Sequence, residues 1–298
     1  MVKSTEIINQ YEKIGVDVKS YFSGIDEVEL QLDNQTNLMQ WMPSVVGDGN
    51  FYAELSKSIG NYYPLIKDEY TKALQLIPDN FSVLEIGCGE GAFGQLCGSD
   101  RWYGVDINQQ AIDRAHSKGL QCQVWNIFAS GSLGYAPDFN HFQLICSFQT
   151  LEHFADPAKF FQLLKLCMSP GQKLLIAVPS HDSLLGIHPY TTLNLPPHHQ
   201  SLWTDHALRV FPQKFGFRLE KLIHCNVDQI HTRWYVQEFL RSLVPSSIQL
   251  PRTLLGRIKR RLIAEMIHIF VSKIIDVDKP IDPLLGARGQ SVLALYSL

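Results

Sequence analysis

The chain has 298 residues, 45% of them hydrophobic and 18% charged, which is enough apolar material for a sizeable core. The formal net charge of −3 gives no indication of a nucleic-acid-binding protein. The six cysteines form no C-x-x-C pair, so we expect free thiols in a reducing compartment and a cytoplasmic location. No window has 18 uninterrupted apolar residues, so we expect no membrane-spanning helix.

The first 78 residues show a mixed pattern, and we expect them to form an N-terminal helical extension or lid. A helical segment that begins near residue 51 is interrupted near Gly60 and Pro64 and resumes over 67–76. The preceding "MQWMPSVVGDGNFY" indicates a loop or short strands rich in aromatic residues. Trp41 and Tyr62 are candidates for an acceptor pocket, although core packing is the more common role of such residues.

Residues 79–227 alternate regularly between short apolar runs and helical windows, and we expect them to form the core domain. The predicted strands cover 83–86, 102–105, 123–127, 142–146, 173–178 and 219–225. The clearest helices are "QQAIDRAHSKG" and "DPAKFFQLLKLCMSPG", the second with Pro157 in its first turn. This alternation predicts a parallel sheet covered by helices on both faces.

Residues 228–286 interrupt the alternation and are predicted to be a helical insertion, after which 287–298 form a final strand of the same sheet. Within the insertion, the basic-to-apolar segment 252–275 could lie on an anionic membrane surface. Packing on the domain or on a second subunit in a homodimer suits its nearly all-round apolar stretch better. Nucleic acid is not an expected partner, since the basic cluster is single and lacks interleaved aromatics.

The stretch "VLEIGCGEGAFG" at 83–94 predicts a strand, a glycine turn and a helix. Glycines there let backbone N–H groups approach an adenosine cofactor closely. The pattern also matches a dinucleotide fingerprint, but Glu85 would repel a pyrophosphate and would suit a cationic amino or sulfonium group. Asp106, 21 residues later at the end of the next strand, can accept from both ribose hydroxyls.

Four motifs in this order resemble the class I S-adenosylmethionine-dependent methyltransferases. They are "VLEIGCGEG", "GVDIN", "LICSFQTLEHFADP" and "SPGQKLLIAVP". The resemblance implies a Rossmann-like three-layer α/β sandwich with a seven-stranded, mostly parallel sheet, and S-adenosylhomocysteine as the product. It implies these cofactor contacts: Gly87, Gly89 and Gly91 at the methionine part, Glu85 at its amino group, Asp106 at the ribose, Ile107 and Asn126 at the adenine, and Gln149 beside the cofactor.

Methyl transfer to a hydroxyl needs a group that takes the proton, so histidines near the carboxyl edge of the sheet are candidate catalytic residues. His153 follows the fourth strand in "TLEHFADP", where packing at the start of a helix is the alternative role. His199 lies beside His198 in "PPHHQSLWT", after the fifth strand, and the alternative there is a polar loop. We expect no metal, because adjacent histidines point in different directions and no Cys or Asp partner is suitably spaced. Trp203 could form an aromatic wall or belong to the core.

"PPHHQSLWT" also resembles a loop of methyltransferases that act on small hydroxylated acceptors. We therefore expect O-methylation of a small-molecule or glycan-type acceptor. Two alternatives stay open. One is a non-catalytic scaffold or sensor that binds S-adenosylmethionine, and the other is an enzyme that uses the cofactor for decarboxylation or cyclisation.

Overall fold

The N-terminal part of the chain combines helices with short antiparallel strands. The computed structural model describes residues 1–60, 62, 64–129, 132–183, 186, 189–227 and 288–298. The first elements are β1 (Val2–Lys3), α1 (Ser4–Glu12), β2 (Glu27–Leu32), β3 (Met39–Met42), α2 (Gly49–Ser58) and α3 (Asp68–Leu74). The sequence predicted helices here and left short strands open around 39–42, while the β1–β2 pair was not predicted.

The core domain alternates strands and helices, as predicted. Its elements are β4 (Val83–Ile86), α4 (Ala92–Cys97), β5 (Trp102–Asp106), α5 (Gln109–Ser117), β6 (Cys122–Val124), β7 (Leu144–Phe148), α6 (Pro157–Cys167), β8 (Lys173–Pro179), β9 (Ser201–Leu202), α7 (Asp205–Val210), β10 (Arg218–His224) and β11 (Ser291–Ser297). Asp156 caps α6 by accepting the Lys159 N–H at 2.8 Å, with Pro157 in the first turn. The Leu151–His153 segment forms a separate 3-10 turn before this helix.

The central sheet has seven strands in the order β10-β11-β8-β7-β4-β5-β6. Pairs among β4 to β8 are parallel, and β11 pairs antiparallel with both β8 and β10. The final strand therefore completes the sheet, as predicted. The Rossmann-like fold class with a mixed, mostly parallel sheet is confirmed.

Side chains of alternating residues enter two different hydrophobic cores, one on each face of the sheet. In β8, Ile176 packs with α6 and α7 on one face. Leu175 and Ala177 of the same strand pack with α3, α4 and α5 on the other. This alternation follows from the two-residue period of a strand, and it makes the domain a three-layer sandwich.

A second, four-stranded antiparallel sheet joins the N-terminal extension to the core domain, in the order β1-β2-β3-β9. Met39 and Gln40 of β3 pair with Leu202 and Ser201 of β9. Trp41 is fully buried in a third core, with α1 and α2. The extension is therefore anchored to the segment that follows β8 and carries the paired histidines.

The predicted insertion at 228–286, including the segment 252–275, lies outside the described residues. Its proposed packing, dimerisation or membrane contact therefore stays a prediction. Within the described part of the chain, no helix combines the length and the apolar character that crossing a membrane requires.

Candidate active site

The glycine turn lies at the carboxyl edge of the central sheet, between β4 and α4. Gly87, Gly89 and Gly91 have φ of +80°, +52° and +74°, which is the left-handed region that favours glycine. A Cβ on Gly87 would collide with the side chain of Thr150. Gly87 and Gly89 line the cavity described below, whereas Gly91 is buried and does not line it.

Asp106 ends β5 and directly supports this turn. Its Oδ2 accepts the Gly89 N–H at 2.8 Å, and its Oδ1 accepts the Asn108 N–H at 2.8 Å. Asn108 then caps α5 through bonds from the N–H groups of the first turn. The carboxylate is held beside the glycines by backbone donors and is not among the residues that line the cavity described below, so its contact with the ribose stays a prediction.

Glu85 lies beneath the turn and is not among the residues that line the cavity described below. The side chain is 1% exposed, and its Oε2 accepts the indole N–H of Trp102 at 2.9 Å. Burial raises the pKa of Glu85 to about 8. Direct contact with the amino group was the expectation, whereas the observed carboxyl faces a neighbouring strand.

The other expected cofactor residues occupy different surroundings. Ile107 is 41% exposed after β5, and Asn126 is exposed with its Oδ1 accepting the Phe128 N–H at 2.9 Å. Gln149 has φ of +50°, which is rare for a residue with a side chain. Its Nε2 donates to Glu69 Oε2 at 2.8 Å. Only Gln149 of these three lines the cavity.

A single cavity of about 980 Å³ joins the glycine turn to the histidines. One end is lined by Gly87 and Gly89, and the other by His153, His198 and His199. A volume at the upper end of the usual range for ligand sites leaves room for a second molecule next to the end of a cofactor. The structure therefore brings both expected catalytic histidines into the space that the glycine turn faces.

The three histidine rings form one cluster, in which His198 and His199 are buried and His153 is partly buried. The ring centroids of His198 are 4.5 Å from those of both His153 and His199, and the His153–His199 centroids are 5.2 Å apart. The rings of His198 and His199 are stacked with an interplanar angle of 18°. Adjacent histidines pointing in different directions was the expectation, and the stacking shows that it was wrong.

Hydrogen bonds fix two of these rings. Nδ1 of His153 lies 2.7 Å from the His198 carbonyl, and its Nε2 lies 3.1 Å from the Gln149 carbonyl. In His198, Nδ1 lies 2.8 Å from the Leu193 carbonyl, and Nε2 lies 2.8 Å from the Tyr62 hydroxyl.

His199 differs, since its buried Nδ1 has no hydrogen-bond partner among the described residues. Burial lowers the pKa of His153 to about 4 and holds the pKa values of His198 and His199 well below the ordinary value. The imidazoles are therefore neutral at pH 7.

The N-terminal extension positions the loop that carries His198 and His199. The Tyr11 hydroxyl donates to the Leu195 carbonyl at 2.9 Å, and the Trp41 indole donates to the Asn194 carbonyl at 3.0 Å. Tyr62 lines the cavity as hypothesised, whereas Trp41 does not. Trp203 is fully buried and belongs to the core, so the aromatic-wall hypothesis for it is wrong.

Two buried acids on the cavity wall were not predicted from the sequence. Glu152 is 1% exposed, and neither carboxylate oxygen has a hydrogen-bond partner in the part of the chain that the structure describes. Its Oε1 lies 3.9 Å from Nε2 of His153, and burial raises its pKa to about 8. Glu69 lies 3.4 Å from Lys67. Glu152 belongs to the motif "TLEHFADP", from which only His153 was predicted to be a site residue. Glu69 belongs to none of the motifs.

Comparisons with known proteins agree with this geometry. A family model described as a methyltransferase domain matches residues 59–222, which is more than half of the chain. No curated protein sequence matches. An S-adenosylmethionine-dependent methyltransferase of Thermotoga maritima, described as a possible histamine N-methyltransferase, is 14% identical with a TM-score of 0.50, over 84% of this chain and 96% of that one. A second one, from Archaeoglobus fulgidus, is 20% identical with a TM-score of 0.48, over 83% and 100%.

At 14% identity the Thermotoga maritima structure shows the fold alone, while the family model covers the glycine turn, Asp106 and all three clustered histidines. The fold, the turn and the family match agree on the same cofactor. The chain therefore belongs to the methyltransferase domain family and is an S-adenosylmethionine-dependent methyltransferase with the class I fold.

Proposed function

We propose that the protein methylates a hydroxyl oxygen of a small-molecule or glycan-type acceptor. The observation that carries this proposal is the single cavity that extends from Gly87 and Gly89 to His199. Bound S-adenosylmethionine supplies a methyl group on a sulfonium, which an acceptor oxygen can attack in line. The chain then has to hold the acceptor in that line and receive its proton.

At the cofactor end, we assign the backbone of Gly87, Gly89 and Gly91 to the methionine part and the Asp106 carboxylate to the ribose. Ile107 and Asn126, on the surface beside the ends of β5 and β6, are assigned to the adenine. Gln149 is assigned to the methionine part because it lines the cavity.

Glu85, which lies beneath the turn, is assigned to stabilising the positive charges of the cofactor without touching it. A buried acid close to the amino and sulfonium groups would favour these cations once it loses its proton.

At the acceptor end, we assign His199 as the group that accepts the proton of the acceptor hydroxyl. Its ring is neutral, and its Nδ1 is left without a partner by the described residues. His153 has both ring nitrogens near backbone carbonyls, so we assign it to positioning the His198 loop. The extension supports this end of the cavity through its bonds to Asn194 and Leu195.

Calorimetric titration with S-adenosylhomocysteine tests the cofactor end. We expect Asp106→Ala to weaken binding at least tenfold, or ~1.4 kcal/mol. The matched control is Asp79→Ala, which removes an exposed carboxylate of the same charge away from the cavity. NAD should not bind. Equal affinity in Asp106→Ala and wild type would refute the ribose assignment.

A panel of acceptors with methyl-labelled S-adenosylmethionine tests the acceptor end. Sugar nucleotides, phenols and primary amines present different nucleophiles of similar size. We expect label on hydroxyl oxygens and its loss in His199→Gln. Label found only on nitrogen or carbon would refute O-methylation, and cofactor binding without transfer to any acceptor would favour the scaffold or sensor.

A further inference from the structure

We propose that His153, His198 and His199 form a binding site for a divalent transition metal such as Zn²⁺, at the acceptor end of the cavity. One ligand nitrogen of each histidine lies within 4.8 Å of those of the other two. All three side chains line the cavity. Three protein ligands with a fourth position open to a cavity are the arrangement of catalytic zinc sites, and imidazole is a preferred ligand of such ions.

The surroundings of the rings are compatible with the tautomer that a metal needs. Metal-binding histidines usually donate the other ring N–H to a carbonyl or carboxylate, which fixes the ring orientation. His153 and His198 each place Nδ1 within 2.8 Å of a backbone carbonyl. Donation from Nδ1 leaves the lone pair of each ring on Nε2.

The lone pair of His153 has no suitable partner in the metal-free arrangement. With the proton on Nδ1, Nε2 is an acceptor, yet it faces the Gln149 carbonyl at 3.1 Å, which is also an acceptor. Two facing acceptors repel each other unless a proton or a cation lies near them. His199 adds a second case, because its buried Nδ1 lacks a partner among the described residues.

Carboxyl groups near the rings offer further oxygen atoms to a cation. Glu152 has two buried oxygens without described partners, and one of them lies 3.9 Å from Nε2 of His153. Glu69 lies on the same cavity wall, although Lys67 at 3.4 Å offsets its charge. Three imidazole nitrogens and the unpartnered oxygens of an adjacent acid are donor atoms that suit a cation rather than an anion at this end of the cavity.

Tyr62 occupies one of the metal positions in the observed arrangement. Its hydroxyl is 2.8 Å from Nε2 of His198, so a metal must displace this hydrogen bond. Tyr62→Phe removes the competing hydroxyl and keeps the ring. We therefore expect this variant to bind the metal more tightly than wild type, which a purely structural role of the cluster does not predict.

The inference goes beyond the proposed function and does not depend on it, because the metal is measured without an acceptor. A bound ion would contact the acceptor hydroxyl and lower its pKa, which would replace direct proton transfer to His199. The two proposals can therefore fail separately.

The test uses the full chain after treatment with a chelator. Co²⁺ replaces Zn²⁺ as a spectroscopic probe, and Zn²⁺ affinity is measured by calorimetry. We expect one equivalent per chain, visible absorption typical of tetrahedral Co²⁺, and at least tenfold weaker Zn²⁺ binding in His198→Gln and His199→Gln. The control is His206→Gln, which changes an exposed histidine and should leave binding unchanged.

S-adenosylhomocysteine titration of the same variants keeps the result interpretable, because retained cofactor binding shows that the fold is intact. Weak Zn²⁺ binding that is equal in wild type, His198→Gln and His199→Gln would overturn the metal site and leave the methyltransferase function untouched. Metal binding with methyl transfer only to nitrogen or carbon would overturn O-methylation and leave the metal site standing.

Discussion

Gly87 combines two constraints that no other residue type satisfies at this position. Its φ of +80° favours glycine, and the side chain of Thr150 leaves no room for a Cβ. Gly119 shares the first constraint, with φ of +77°, but nothing lies within 4 Å of its added Cβ. Alanine at Gly119 therefore tests backbone strain alone, whereas alanine at Gly87 tests strain together with the steric clash at the cofactor turn.

We expect Gly87→Ala to reduce S-adenosylhomocysteine affinity at least tenfold, since Thr150 or the turn itself must move. Gly119→Ala should lose only about 1–2 kcal/mol of unfolding free energy from the left-handed conformation, with unchanged affinity. Calorimetry and urea unfolding measure the two quantities. Unchanged affinity in Gly87→Ala would contradict the role assigned to this turn.

At the scale of elements, Gln200 connects the extension to the histidine loop. The side chain is 1% exposed, and its amide both donates and accepts hydrogen bonds. Its Nε2 donates to the carbonyls of Val45 and Pro197, and its Oε1 accepts the Val45 N–H at 3.2 Å. The Gln200 backbone N–H donates to the Glu152 carbonyl at 2.7 Å. One residue thus joins the extension, the loop and the turn after β7.

Replacing Gln200 by alanine would leave the N–H and carbonyl of Val45 buried without these partners. At about 1–3 kcal/mol for each such group, we expect Gln200→Ala to lose at least about 2 kcal/mol of unfolding free energy. The matched control, Gln95→Ala, removes an exposed amide from α4 and should be nearly neutral. Urea denaturation of both variants measures this loss. Equal midpoints for the two variants would mean that contacts other than those of Gln200 hold the extension on the core domain.

At the scale of the whole molecule, the buried Glu85 makes the free energy of unfolding depend on pH. Its pKa is about 8 in the folded chain and near the ordinary 4.5 in the unfolded one. Between these values the native state keeps a proton that the unfolded state has lost, so the free energy of unfolding falls as pH rises.

Between pH 5 and 8, we expect the free energy of unfolding of Glu85→Gln to fall less steeply with rising pH than that of wild type. The difference in slope is at most about 1.4 kcal/mol per pH unit. Glu29→Gln, which changes an exposed acid on β2, should keep the wild-type slope. Denaturant unfolding at several pH values provides the measurement. A Glu85→Gln profile parallel to that of wild type would show that the buried carboxyl is already ionised.

The parallel sheet and its glycine turn could be predicted from sequence because both leave local signals. Strand β4 follows from the short apolar run 83–86, which only Glu85 interrupts, and the turn follows from glycines at a fixed spacing. Apart from the short strands left open around 39–42, the antiparallel sheet was not predicted, and its strands β1 and β9 have two residues each, too few positions to show a period.

The histidine cluster could be predicted only in part, because His153 lies 45 residues before His198 and only the folded chain brings them together. Glu152 gave no signal of its own, because an acid in a turn is ordinarily exposed.

The junction between β10 and β11 has a consequence for how the chain tolerates change in length. The Cys225 N–H donates to the Ser291 carbonyl at 2.9 Å, and the Gly289 N–H donates to the Cys225 carbonyl at 2.8 Å. Both ends of the intervening segment are thus tied together like the base of a hairpin. Between two ends held together in this way, each doubling of the length of a connection adds only about 0.6 kcal/mol of loop-closure entropy. Long and short segments can therefore occupy this position in otherwise identical sheets, at a cost smaller than that of one buried hydrogen bond.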